Sequence, residues 1–256
     1  MKIGFIGAGN MGGAIIGGIV NEKLDAEIIV YDKYKSDFEN ATPAKSAPEV
    51  AGEADILFLA IKPAVLYDVI AEIKDYVKPE TVVVSIVAGQ SIEKMEKAFA
   101  KPVKLIRVMP NTPALVGAGM SALCPNENVQ KAEAENVIKI FEALGKAEIV
   151  DEKMMDAVTA VSGSAPAYIF MIIEAMADAA VMGGLPRDKA YTFASQAVLG
   201  SAEMVLKTGK HPGELKDMVC SPSGTTIEAV KVLEERGLRS AIIEAMQACM
   251  DKSKNM

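Results

Sequence analysis

Short runs of Ile, Val and Leu recur through the first half of the chain, at Lys2–Ile6, Glu27–Tyr31, Ile56–Ala60, Thr81–Ile86 and Val103–Val108. Within each run the apolar residues follow one another instead of alternating with polar ones. That pattern suits a parallel sheet covered on both faces. Helical patterns lie between most of the runs, for instance Met11–Asn21 and Val65–Tyr76. A further helix is predicted over Asn128–Leu144 and a last strand over Ala147–Val150. Strands alternating with helices in this way predict a doubly wound α/β domain.

After Asp151 the pattern changes. Strand-like runs stop, Ala and Met become more frequent, and helices are predicted over Glu152–Val161, Pro166–Met182, Arg187–Lys207, Thr226–Glu235 and Leu238–Lys252. Gly183-Gly184-Leu185-Pro186 reads as a helix stop and restart, and His211-Pro212-Gly213 as a second break. The expected division is an α/β domain over 1–151 and an all-helical domain over 152–256. No Gly/Ser linker marks the boundary.

Composition narrows the function classes. The 256 residues are 50% hydrophobic but only 5% aromatic, with no Trp. Ala, Met and Val must therefore fill closely packed helical interfaces. The net charge of −7 and the absence of any basic run argue against nucleic acid as a partner. Three widely spaced cysteines, Cys124, Cys220 and Cys249, offer neither a zinc pattern nor an even disulfide set. A reducing cytoplasm fits them, and no metal site is expected. Lys2 and the uncharged stretch behind it superficially resemble a secretory leader, but its glycines fit a continuous apolar helix poorly. The apolar stretch from Met154 to Leu185 is interrupted by Asp156, Glu174 and Asp178, so no membrane span is predicted.

Those early glycines have a chemical explanation. Gly7-Ala8-Gly9-Asn10-Met11-Gly12 follows a strand and opens a helix. In a G-x-G-x-x-G turn the first glycine makes the bend and the second lets backbone approach a pyrophosphate. The third lets the helix pack on the strand, its free N–H groups facing the phosphates. The second strand then ends at Tyr31-Asp32, where an acid can bind a ribose hydroxyl. Together these features indicate a dinucleotide site. Asp32 favours NADH, because its charge repels a 2′-phosphate, whereas Lys33 and Lys35 could pair with that phosphate. Solvated lysines and a turn-capping Asp32 are the plainer alternatives, and all remain open. Ala60-Ile61-Lys62-Pro63 and Val87-Ala88-Gly89 end the third and fourth strands, where such sheets bind ligands.

The helical half contains Cys220-Ser221-Pro222-Ser223-Gly224-Thr225-Thr226-Ile227-Glu228. Thr225 and Glu228 have the spacing of a capping box, which makes this first of all a well-formed helix start. The same free N–H groups can also hold a small carboxylate. Ser164 is expected to cap the helix that opens near Pro166. His211 reads as a loop residue, and Cys220 as a small buried residue with no partnered base.

Five segments carry a family resemblance: IGFIGAGNMG (3–12), FLAIKP (58–63), RVMPNTPALVGAG (107–119), DAVTAVSGSAPAY (156–168) and LKDMVCSPSGTTIEAVKVLEERGLRSA (215–241). Over essentially its whole length the chain resembles the pyrroline-5-carboxylate reductase family. The resemblance implies a Rossmann domain followed by a helical domain that intertwines in a homodimer, often assembled further into a decamer. It implies reduction of 1-pyrroline-5-carboxylate to L-proline with NADPH or NADH, the last step of proline biosynthesis. By position, residues 7 to 12, Ala60 to Pro63 and Val87 to Gly89 would line the cofactor. Ser223, Gly224, Thr225 and Thr226 would hold the substrate carboxylate, and Thr226 would also contact the ring nitrogen as the catalytic residue.

Three positions depart from the family pattern. Ser223 stands where the loop has glycine and is expected to carry strain if φ is positive. Ala165 replaces a glycine, and Ala47 stands where the family often has Asn. Two rivals can be weighed. A hydroxyacid dehydrogenase of the same plan would place a lysine on the first long helix of the second domain, and Pro166–Met182 contains none. A non-enzymatic nicotinamide sensor would want a partner surface, and nothing basic or repeat-like supplies one.

Overall fold

The computed structural model describes residues 1–255 and divides into two compact units. The first holds Met1–Ser164 together with the chain from Cys249 onward, and the second is Ala165–Ala248. The cut between these compact units falls after Ser164, inside the helical half.

In chain order the first unit contains β1 (Lys2–Ile6), α1 (Asn10–Asn21), β2 (Glu27–Tyr31), β3 (Thr42–Pro43), α2 (Ala47–Glu53) and β4 (Ile56–Leu59). After these come α3 (Leu66–Ile73), β5 (Val82–Ser85), α4 (Ile92–Phe99), β6 (Lys104–Met109), β7 (Gly119–Pro125), α5 (Lys131–Glu142), β8 (Gly145–Ile149) and α6 (Met155–Val158). The eight strands form one sheet in the order β3-β2-β1-β4-β5-β6-β7-β8. The chain winds outward from β1 in one direction, then returns and winds outward from β4 in the other, which makes it doubly wound. β1 to β6 are parallel.

Each central strand is buried on both sides. Leu57, Leu59, Val83 and Leu105 belong to one core, while Phe5, Phe58, Val84 and Ile106 belong to the other. Phe5 and Phe58 stack at 4.7 Å between ring centroids. This is the physical basis of the unbroken apolar runs.

The far edge departs from the sequence reading. β7, which the apolar pattern missed, runs antiparallel to β6, and β8 then pairs with it in parallel. The last two strands thus reverse the direction of the first six. A 3₁₀ turn at Thr112–Val116 makes the reversal possible. α2 and α4 were also missed; both are short and open on serine caps, Ser46 and Ser91.

The helical segment from Glu152 opens as a 3₁₀ turn, passes through α6 and becomes a π-turn at Thr159–Gly163. Ser164 does not cap the next helix. Its hydroxyl instead accepts a bond from Cys249 Sγ at 3.2 Å. Nearby, Ser253 donates to Asp156 at 2.7 Å, so the chain after residue 248 closes back on this unit.

The second unit consists of α7 (Ala165–Met182), α8 (Arg187–Thr208), α9 (Pro212–Val219), α10 (Thr225–Glu235) and most of α11 (Leu238–Lys254). The expected break at His211-Pro212-Gly213 separates α8, which ends at Thr208, from α9, a helix not expected from the pattern, which opens at Pro212 because Pro suits the first helical turn. Buried hydrophobic residues are few: Ala177, Ala190, Ala194 and Leu215. Phe170, Met171, Phe193 and Leu206 are each more than 60% exposed. The helical stretch Glu152–Met182 is long and apolar enough to cross a membrane by length and composition, with only 6% of its most apolar window buried. The acids that interrupt the run in sequence are too few to disqualify it. An apolar surface of this extent marks an interaction face.

Candidate functional site

The carboxyl ends of β1, β4, β5 and β6 lie side by side, and ligands of doubly wound sheets sit beyond such ends. The glycine-rich turn follows β1. Gly7 has φ of +94°, and a Cβ there would collide with the Ala60 carbonyl. Its N–H donates to Tyr31 O at 2.8 Å, which ties the turn to the end of β2. A Cβ on Gly12 would stand 2.7 Å from Gly7 O, so α1 starts pressed against the turn. At Gly9 a Cβ would meet nothing within 4 Å. Gly9 is also the N-cap of α1, without a side-chain capping bond. Open space in front of an uncapped first turn, at Asn10 and Met11, is a fitting cradle for a pyrophosphate.

Asp32 is fully engaged by backbone. Oδ2 accepts from Ala8 N and Oδ1 from Tyr34 N, each at 2.8 Å. The acid therefore braces the glycine turn and caps its own turn at once. Lys33 lies over the Tyr34 ring and Lys35 over the Phe38 ring. A cleft of about 350 Å³ runs along α1 and brings Lys35 together with Ala8, Gly13 and Gly17.

Ala60 and Ile61 are half-buried, whereas Lys62 and Pro63 are exposed at the start of a 3₁₀ turn. Val87 is only 2% exposed and its side chain belongs to the core, so only its backbone can face a ligand. Ala88 is exposed, and Gly89 has φ of +73°. Ala47 is buried at the start of α2, where a polar Asn side chain would have to find another place.

Residues that pattern reading left without a role support this edge. Glu152 Oε1 accepts from both Ile92 N at 2.8 Å and Arg107 Nη1 at 2.9 Å, clasping the start of α4 to β6. Asn111, just beyond β6, donates to Ser162 O and accepts from Met120 N. Both lie within quoted family segments or beside them, but their partners are remote in sequence. Burial pushes the Cys124 thiol up, and Glu152 adds to the effect, so it is no nucleophile.

The loop before α10 lies in the second unit. Gly224 N donates to Ser221 O at 3.0 Å, Pro222 occupies the second position, and Ser223 has φ of +57°. These are the marks of a type II turn, whose third position favours glycine. Ser223 accordingly sits in the left-handed region. A Cβ on Gly224 would collide with the Ser221 hydroxyl. The expected capping box is absent. Gly224 is the N-cap, Thr225 is the first helical residue, and no side chain caps the turn. The N–H groups that Thr225 was expected to cover are thus left without a side-chain cap. Thr226 is half-buried, and Ser223 and Thr225 are exposed. Cys220 is half-buried rather than buried. His211 Nδ1 accepts from Gly213 N in its own turn.

Comparison with known proteins accounts for both halves. The family described as pyrroline-5-carboxylate reductase dimerisation matches residues 152–256. The one described as NADP oxidoreductase, coenzyme F420-dependent, matches residues 2–89. A pyrroline-5-carboxylate reductase of Escherichia coli K12 is 53% identical, covering 100% of this chain and 98% of the relative. The chain belongs to the pyrroline-5-carboxylate reductase family. A second reductase, from Methanosarcina acetivorans, is 42% identical over 100% of this chain and 97% of its own length. A crystal structure of Plasmodium falciparum pyrroline carboxylate reductase with NADP bound superposes with a TM-score of 0.91 at 34% identity, covering 100% and 97% of the two chains. Membership of the reductase family makes this chain an NAD(P)H-dependent oxidoreductase of proline biosynthesis.

Proposed function

We propose that the chain reduces 1-pyrroline-5-carboxylate to L-proline with NADPH as the preferred reductant, in the cytoplasm. Residues 1–151 hold the cofactor, and residues 152–256 hold the substrate and form a homodimer that assembles further, to a decamer. The observation that carries the reading is the uncapped helix start Ser223-Gly224-Thr225-Thr226 behind a strained type II turn. A bare helix N-terminus receives a carboxylate without any arginine.

The cofactor, when bound, supplies the hydride. Gly9, Asn10, Met11 and Gly12 would receive its pyrophosphate through backbone N–H groups, while Gly7 and Ala8, whose N–H groups are held by Tyr31 and Asp32, shape the turn beneath it. Ala60, Ile61, Lys62 and Pro63, with Val87, Ala88 and Gly89, form the wall on its nicotinamide side. Asp32 fixes the turn through Ala8, and Lys33 and Lys35 supply positive charge for a 2′-phosphate. NADH remains a usable, weaker substitute. The NADP-bound relative from Plasmodium falciparum supports this order.

The substrate needs little help. A protonated imine is already electrophilic, so the protein must chiefly hold it in one orientation. Ser223, Gly224 and Thr225 hold the carboxylate, while the Thr226 hydroxyl orients the ring nitrogen and shares its proton. This explains why no acid–base dyad is needed. The exposed apolar face of α7 and α8 supports the dimer, and the three free cysteines support the cytoplasm.

Initial rates with 1-pyrroline-5-carboxylate, measured with NADPH and NADH side by side, test the reading. Turnover with both, faster at low NADPH than at low NADH, is expected. Tight cofactor binding with no oxidation of either would leave only a sensor.

A further inference from the structure

The helical segment that begins at Glu152 carries a proline at position 166, and proline has no N–H with which to reach the carbonyl four residues back, Ser162. A half-buried carbonyl must find another donor. It finds Asn111. Nδ2 lies 3.2 Å from Ser162 O and 3.2 Å from Ser162 Oγ, while Oδ1 accepts from Met120 N at 2.9 Å. One amide thus joins the π-turn to the loop after β6 and to the first residues of β7. The neighbouring contact is equally close: a Cβ on Gly163 would stand 2.5 Å from Met109 Cε. Met109-Pro110-Asn111 and Ser162-Gly163 are docked as two matched segments.

The place matters more than the bonds. Asn111 follows the carboxyl end of β6, the next strand after β4 and β5 in the sheet. By the rule for doubly wound sheets, the adenosine end of a bound dinucleotide would lie by β2 and Asp32, and its nicotinamide half would run toward β4, β5 and β6. A π-turn, with Ser164 N donating to Thr159 O across five residues at 2.8 Å, is an irregular segment of the kind that collects at functional sites. Asn111 holds it at that edge.

We propose that Asn111 is a positioning residue for the reduction. It anchors the Ser162 carbonyl, to which Pro166 can donate nothing from the α-helical position four residues on, and so fixes the π-turn Thr159–Gly163 beside the reacting end of the cofactor. The proposal rests on the reaction proposed above, and wild-type turnover checks that reaction separately. Asn111 acts on turnover and not on cofactor affinity.

The test is a set of substitutions read by kcat, by KM and by NADPH affinity from fluorescence titration. Asn111→Asp keeps the acceptor for Met120 but loses both donors to Ser162, and should lower kcat by about tenfold while NADPH affinity stays within about twofold. Ser162→Ala removes only the hydroxyl and should leave kcat within about twofold. Pro166→Ala returns an N–H to the helix, so Asn111→Ala should cost several-fold less kcat in that background than alone. If Asn111→Ala folds only with Pro166→Ala present, the idea is supported as well. It is overturned if Asn111→Asp keeps kcat within about twofold of wild type, if kcat and NADPH affinity fall together, or if the Asn111 and Pro166 effects simply multiply. Failure of Asn111→Ala to fold in both backgrounds also overturns it.

Discussion

The two units treat their apolar residues in opposite ways. In the sheet unit the largest side chains are hidden: Phe5, Phe58, Phe99 and Phe141 are essentially inaccessible, packed on both faces of the strands. In the helical unit comparable side chains such as Phe170 and Phe193 stand in the open, and mainly alanines are buried. Sheet formation consumes its own hydrophobic surface because strands and covering helices alternate along one chain. A few helices rich in Ala cannot do the same. They hold each other through small residues and leave the large ones to another surface. One unit hides its large apolar side chains within itself, while the other leaves its own on the surface. The dimer proposed above is the arrangement that removes the difference.

That contrast can be tested through its concentration dependence. Phe58→Ala empties a site between Phe5 and Phe141, and should cost about 3–5 kcal/mol at any protein concentration. Denaturant titration at two concentrations would show it, and a cost that changed on dilution would merge the two units into one class. Phe170→Ala should cost about 1.5–3 kcal/mol, but only where the dimer is populated. Sedimentation should show the variant dissociating at concentrations where the parent remains paired. Unchanged assembly would mean the face is covered by something other than a second copy.

Smaller effects probe the loop in the helical unit. Thr226→Ala should lower kcat/KM by a factor equivalent to about 1–3 kcal/mol. Unaltered kcat/KM would remove the hydroxyl from the reaction. Ser223→Gly should be the mildest. Relief of a left-handed serine is worth about 1–2 kcal/mol, and the extra freedom of glycine in the unfolded chain takes back about 0.5–1. A net gain of about 0–1.5 kcal/mol should appear as an unchanged or slightly higher Tm, and a fall would mean the serine hydroxyl stabilises the turn.

Legibility in the sequence followed the range of the interaction. β1, β2, β4, β5 and β6 were readable because burial on both faces writes an unbroken apolar run. β7 was not, since Gly119-Met120-Ser121-Ala122 mixes small and polar residues. α2 and α4 are short, and only their serine caps announce them. Gly7 to Gly12 could be found because a tight turn against a strand demands glycine locally. The positive φ of Ser223 was foreseen only through the family resemblance, which places glycine there. The missing capping box shows the limit of spacing: Thr225 and Glu228 stand at the right interval, but the helix starts one residue too early for it. Asn111 and Glu152 were invisible as network members, because their partners lie 51 and 45 residues away.

The bond from Cys249 to Ser164 also sets an order of events during synthesis. The two residues are 85 apart. At about 5–20 residues per second, a ribosome needs roughly 4–17 s to deliver the second after the first. During that interval every residue of the sheet has been synthesised, and the whole apolar helical unit emerges before Ser164 can meet its partner. The seam of the first unit is sealed by residues that appear only after the whole second unit. A fusion or clipping near residue 250 would therefore be felt in the domain that was built first.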